Sequence, residues 1–135
     1  MKYTWDFKKV FATQFSNWSK KDQDKILDFT DIYEEYGLDD FSKYPGKIAP
    51  SWSFLDISDP NYSYTTNNYL WHYHVGIPEY RQVHDKFQTS SYVLHFQWKN
   101  KGTHISLVDC YEHYLKNGTF YLPPEQYLEL VTKMR

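Results

Sequence analysis

All six histidines of the 135-residue chain, His72, His74, His84, His95, His104 and His113, fall in its second half. An unperturbed imidazole titrates near neutrality, so it serves as proton acceptor, proton donor or metal ligand. Arg81 stands among them, and its guanidinium is the best available clamp for a phosphate. Such a set suits cleavage of a phosphodiester by a neighbouring ribose 2′-hydroxyl. That reaction needs a base for the hydroxyl proton, cations for the charge building on phosphorus, and an acid for the departing 5′ oxygen. It requires no metal and no other cofactor. His72 and His74 also admit a metal reading, since His-x-His on a strand with His95 or His113 nearby offers three imidazoles. No Asp, Glu or Cys falls in a recognised ligand spacing with them, so no metal ligand is assigned.

The elements that must position these residues follow from hydrophobic periodicity. Phe7, Val10, Phe11, Phe15 and Trp18 fall at helical spacing, with Asp6 as the N-terminal cap. Ser19-Lys20-Lys21-Asp22 starts a second helix, whose stripe runs through Ile26, Phe29 or Leu27, Ile32 or Tyr33, and Tyr36, and Gly37 closes it. Residues 38–68 break into short aromatic pieces separated by Pro45-Gly46, Pro50 and Asp59-Pro60, and read as a long packed connection.

Leu70 to Val75 alternates as a strand, with Trp71, Tyr73 and Val75 on one side and His72 and His74 on the other. Residues 79–90, with Arg81, His84 and Lys86, have the polar look of an exposed loop. Tyr92–Trp98 and Thr103–Tyr111 form a hairpin across Lys99-Asn100-Lys101-Gly102. A register pairing Trp98 with Thr103 puts Leu94, Phe96, Ile105 and Leu107 on one face and His95, Gln97, His104 and Ser106 on the other; Asp109 then points away from the histidines. Asn117-Gly118 marks a turn, Thr119 to Leu122 adds a short edge strand, and Tyr127, Leu128, Val131 and Met134 pattern a short C-terminal helix. The fold expected is α+β, one domain over 1–135: two N-terminal helices packed on a small antiparallel sheet whose polar face is open.

Composition narrows the classes. Aromatic residues make up 21% of the chain, with 14 Tyr, 9 Phe and 5 Trp, which supports a packed core. The one cysteine, Cys110, has no disulfide partner and reads as a small core residue. No apolar leader and no run of 18 apolar residues occurs, which predicts a cytoplasmic chain with no membrane partner. Nucleotide-binding Gly-rich loops, a Gly-x-Ser-x-Gly elbow and Cys-x-x-Cys are all absent from the sequence, so those enzyme classes lack support. The formal charge is −2, against a broadly basic nucleic-acid surface. Residues 1–69 hold 8 Lys/Arg and 11 Asp/Glu, whereas 70–135 hold 7 and 6, so an anionic ligand belongs to the second half. The acids Asp22 to Asp40 most simply form the solvated face of the second helix.

The order of helix, Ser-Lys-Lys-Asp corner, helix, Pro-Gly loop, strand, hairpin and strand resembles the RelE superfamily of bacterial toxins over residues 4 to about 115. The YafO-type branch is the nearest likeness. It rests on Trp71-His72-Tyr73-His74-Val75, Ser91-Tyr92-Val93-Leu94-His95-Phe96 and Leu107-Val108-Asp109-Cys110-Tyr111-Glu112-His113. The resemblance implies a metal-independent mRNA endoribonuclease that works on the ribosome, inhibits translation and is neutralised by an antitoxin protein. It also implies that His113, flanked by Tyr111 and Tyr114, holds the place of the family's terminal His or Tyr, with His113 as the acid and Arg81 as the clamp. Many relatives have Arg where this chain has Val93, so one clamp has moved or gone, and His95 on the same side projects towards the cleft. His72, His74, Lys99, Lys101 and Tyr114 complete an expected RNA-binding set. The alternative is a non-enzymatic acidic binding protein, such as an immunity protein, antitoxin or phage-borne inhibitor, recognising a basic partner.

Overall fold

The computed structural model describes residues 2–53, 55–81 and 88–128. His84, Lys86, Val131 and Met134 lie outside the described residues. The elements run β1 (Thr4–Phe7), α1 (Lys9–Ser16), α2 (Lys20–Tyr36), β2 (Ile48–Pro50), α3 (Pro60–Asn67), β3 (Leu70–His74), β4 (Tyr92–Gln97) and β5 (His104–Glu112), with a final 3-10 turn at Glu125–Leu128. The architecture is α+β, and the five strands form one sheet in the order β1-β5-β4-β3-β2.

The sheet is mixed rather than antiparallel, because β1 joins β5 in parallel with Trp5 opposite Ile105 and Phe7 opposite Leu107. The first helix accordingly starts at Lys9, and Asp6 does not cap it. Trp5 and Phe7 alternate at strand spacing and Phe7 also fits the helical stripe, so the one residue serves both patterns. Its ring packs on Phe11 and Phe15 at 5.5 and 4.8 Å. Ser19 does cap α2, accepting from the Asp22 amide, and Gly37 ends the helix at φ +67°. The buried stripe of α2 is Ile26, Phe29, Thr30 and Tyr33, while Leu27 and Tyr36 are exposed.

The connection over 38–68 contains both β2, which pairs with β3, and α3, which begins at the Asp59 cap with Pro60 in its first turn. Only Thr65 of α3 is buried, so its sequence carries no apolar stripe.

Trp71, Tyr73, Leu94, Phe96, Ile105 and Leu107 meet α1 and α2 on one face of the sheet, and Phe29 sits 4.7 Å from Tyr73 and 5.6 Å from Phe96, ring to ring. The hairpin forms at Lys99-Asn100-Lys101-Gly102, but Trp98 does not pair with Thr103: Gln97 lies opposite Ser106, two residues further along β5 than that register puts it, which leaves the faces unchanged, and the register then breaks once. Phe96 pairs with Leu107 while His95 pairs with Asp109, which leaves Val108 as an extra residue in β5. Beyond that bulge the alternation is reversed, so Cys110 joins the core and Asp109 shares the face of its partner His95. The expectation that Asp109 points away from the histidines is thereby corrected. Among the described residues no helix is long and apolar enough to cross a membrane.

Gly46 brings the loop before β2 hard against β3: a Cβ built there falls 1.8 Å from the His74 carbonyl oxygen. That obstacle is backbone and cannot rotate away. Gly46→Ala is expected to lower unfolding free energy by about 2–3 kcal/mol in urea denaturation, the range for overpacking against an unyielding neighbour.

Candidate functional site

On the sheet face away from α1 and α2, a cleft of about 540 Å³ is lined by His72, His74, His113, Lys47, Arg81 and Tyr114, with Thr89, Ser90, Ser91 and Glu112 completing its wall. Each histidine arrives by a different local rule. His72 and His74 are two apart on β3 and project together by strand periodicity. His113 follows β5, where its amide donates to the Ser91 carbonyl at 2.8 Å and continues the shifted register. The odd-numbered residues after the bulge face the histidine side, which is why His113 reaches the cleft.

The ring centroids of His113 lie 5.0 Å from His72 and 5.0 Å from His74, with His72 and His74 6.1 Å apart. Phe120 roofs the group, 4.6 Å from His113 and 5.5 Å from His72, held there by the Asn117-Gly118 turn and an antiparallel bridge to Tyr114. His72 Nδ1 is 3.0 Å from the buried Ser51 Oγ. At His74 Nδ1 the Ser90 amide lies at 3.0 Å and the Ser90 carbonyl at 3.1 Å, so each neutral tautomer finds a backbone partner.

Burial dominates the electrostatics. It pushes His72 and His74 below their ordinary values, with other imidazoles and Lys47 adding to the effect on His72, and it pushes His113 down to about 4 with His74 contributing. Burial thus favours the neutral form of each ring.

The cations come from two loops. Arg81 pairs backbone to backbone with Thr89, and its Nη2 donates to Ser91 Oγ at 3.0 Å. Lys47 is anchored by its carbonyl, which accepts from the His74 amide at 2.9 Å. Lys47, Ser51, Ser90 and Ser91 were not singled out by sequence. The available signal for Lys47 was its place directly after Pro45-Gly46.

Other expected site residues lie elsewhere. His95 is fully enclosed, 6.0 Å from the His72 ring and 5.7 Å from Tyr121, and neither nitrogen has a hydrogen-bond partner among the described residues. It does not line the cleft. Tyr111 packs against Tyr121 at 4.8 Å and borders a separate groove with Tyr92 and Cys110. Lys99 and Lys101 sit exposed at the hairpin tip, away from His113, with Lys99 Nζ 5.8 Å from the Tyr69 ring. Tyr114 does line the cleft, its ring 4.5 Å from His113.

Comparison with known proteins finds no matching family model, no matching curated protein and no matching solved structure.

Behind the cleft, Asp109 is 2% exposed and accepts from the Tyr121 hydroxyl at 2.5 Å. Burial raises its carboxyl to about 7, with the Tyr121 hydrogen bond opposing. A folded value above the unfolded one means that the native state keeps its proton longer. Stability from this group is present below pH 4 and is lost as pH rises from about 4 to 7. The buried histidines act with the opposite sign in that window, so the comparison between variant and parent isolates the carboxyl. Asp109→Asn, which keeps an oxygen acceptor for Tyr121, is expected to gain stability over the parent by a few kcal/mol at pH 8 and by little at pH 4. Urea unfolding at the two pH values measures the difference.

Proposed function

We propose that this chain is a RelE/YafO-like endoribonuclease that cleaves mRNA, with the ribosome as its working partner and an antitoxin protein as its restraint. The observation carrying this reading is the convergence of three buried imidazoles with Arg81 and Lys47 in one cleft on the face away from α1 and α2. The sequence resemblance to that superfamily supports it.

In this reading Arg81 and Lys47 hold the scissile phosphate and offset the charge that builds on it. An imidazole accepts the ribose 2′-hydroxyl proton as its oxygen bonds to phosphorus, and the bond from phosphorus to the 5′ oxygen breaks. The leaving oxygen then takes a proton from a second imidazole or from the Tyr114 hydroxyl. A bound phosphate supplies the negative charge that raises imidazole proton affinity, so the cleft that holds neutral rings when free gains a donor when occupied. His113 lies 5.0 Å from both His72 and His74, close enough for base and donor to flank one phosphodiester.

The exposed acids of α2 favour a second reading, a binding protein for a basic partner. Induced expression in a bacterial host separates the two. The nuclease reading expects translation arrest and mRNA fragments with new 5′ ends. It further expects His113→Ala and Arg81→Ala each to lower cleavage by about 100-fold or more while the far-UV circular dichroism of the parent is kept. Normal growth with intact RNA, and no cleavage by the purified chain with or without ribosomes, would leave the binding reading standing.

A further inference from the structure

We infer that His72, His74 and His113 form a three-imidazole site for one divalent transition-metal ion of the zinc class, with its remaining coordination position open to the cleft. One ring nitrogen from each residue can be chosen so that all three lie within 4.8 Å of one another. Zinc bonds imidazole nitrogen at about 2.0–2.1 Å, which in a tetrahedral arrangement puts ring centroids about 5 Å apart and nitrogens about 3.3 Å apart. Two of the three centroid separations are already 5.0 Å and the third is 6.1 Å. Closing the set takes the nitrogens from separations of up to 4.8 Å to about 3.3 Å.

The surroundings suit ligands of this kind. Metal-bound histidines characteristically donate their other N–H to a hydroxyl, carbonyl or carboxylate that fixes tautomer and orientation. Ser51 Oγ stands 3.0 Å from Nδ1 of His72, and at Nδ1 of His74 the Ser90 carbonyl stands at 3.1 Å and the Ser90 amide at 3.0 Å. Binding through Nε2 selects the tautomer in which His74 Nδ1 donates to the Ser90 carbonyl in place of accepting from the Ser90 amide. Phe120 shields one side of the group, and Ser51 is itself buried. The other side opens to Arg81 and Lys47, whose charges oppose a bare cation and favour an anionic fourth ligand such as a phosphate oxygen or hydroxide. His95, the other imidazole within reach by sequence, is not part of this group.

The metal site does not depend on nuclease activity. It has one consequence that rests on that reading: an ion on the imidazoles occupies the lone pairs that proton abstraction needs, so zinc would inhibit metal-free RNA cleavage.

Titration of the purified chain with Co²⁺ tests the site directly. One equivalent should give the intense visible bands of a tetrahedral cobalt centre, and Zn²⁺ should displace it. His74→Ala is expected to weaken Co²⁺ binding on the order of a hundredfold or more, and Ser51→Ala about tenfold, as loss of a ligand and of a partner to a ligand respectively. His104→Ala, at the exposed first residue of β5, should leave binding unchanged. His113→Gln, beyond the strand end, repeats the test should His74→Ala not keep the parent's circular dichroism. No one-equivalent spectrum from the parent, or unchanged affinity in folded ligand variants, overturns the site. The cobalt spectrum is read without RNA, so its failure and failure of the nuclease reading are separate results.

Discussion

One extra residue in β5 sets where the site is. Side chains alternate between the faces of a sheet with a period of two, so a single inserted residue exchanges the faces of everything after it. Val108 is that residue: Leu107 pairs with Phe96 on the helix-covered face, and Asp109 pairs with His95 on the other. Uninterrupted alternation from Ile105 and Leu107 would carry His113 to the side of the helices. The bulge sends it instead to the face of His72 and His74, and turns Cys110 inward to the core in exchange.

Desolvation then decides what the gathered groups do. His72, His74, His95 and Asp109 sit where water is largely excluded, and the charged form of each is disfavoured. Crowding adds to this, because several imidazoles in one place resist sharing positive charge. The result is a wall of imidazoles whose neutral form is favoured, in one cleft with Lys47 and Arg81. Lys47 and Arg81 are both fixed by backbone pairing to strand β3 or to the Thr89 segment, so their positions follow from the sheet rather than from side-chain chance.

Much of this was legible in the residues because it follows from local rules. The Ser19 cap, the Gly37 stop, the hairpin at Lys99 to Gly102 and the division of β3 into Trp71/Tyr73 and His72/His74 are consequences of capping, turn chemistry and period-two alternation. Four things were not legible. Phe7 satisfies a strand and a helix at once, and only the non-local pairing of β1 with β5 decides between them. β2 and α3 are too short and too mixed in polarity to announce themselves by periodicity. The bulge leaves no mark in a run that reads as continuous strand, so the facing of Asp109 could not be inferred. Lys47 reached the site through a close approach that Gly46 permits, a contact between segments far apart in sequence.

The net charge of −2 and a cleft that holds Lys47 and Arg81 are compatible because the charges are segregated. The exposed acids of α2 lie on the helical layer, and the cleft opens on the opposite face of the sheet. A helix is itself about 10 Å across, while exposed charges are screened over about 8 Å at physiological ionic strength. An anion in the cleft therefore responds to Lys47 and Arg81 at contact distance far more than to carboxylates across the molecule. The same segregation puts the acidic face of α2 and the cleft on opposite sides of the sheet, so a cation at one and an anion at the other need not compete.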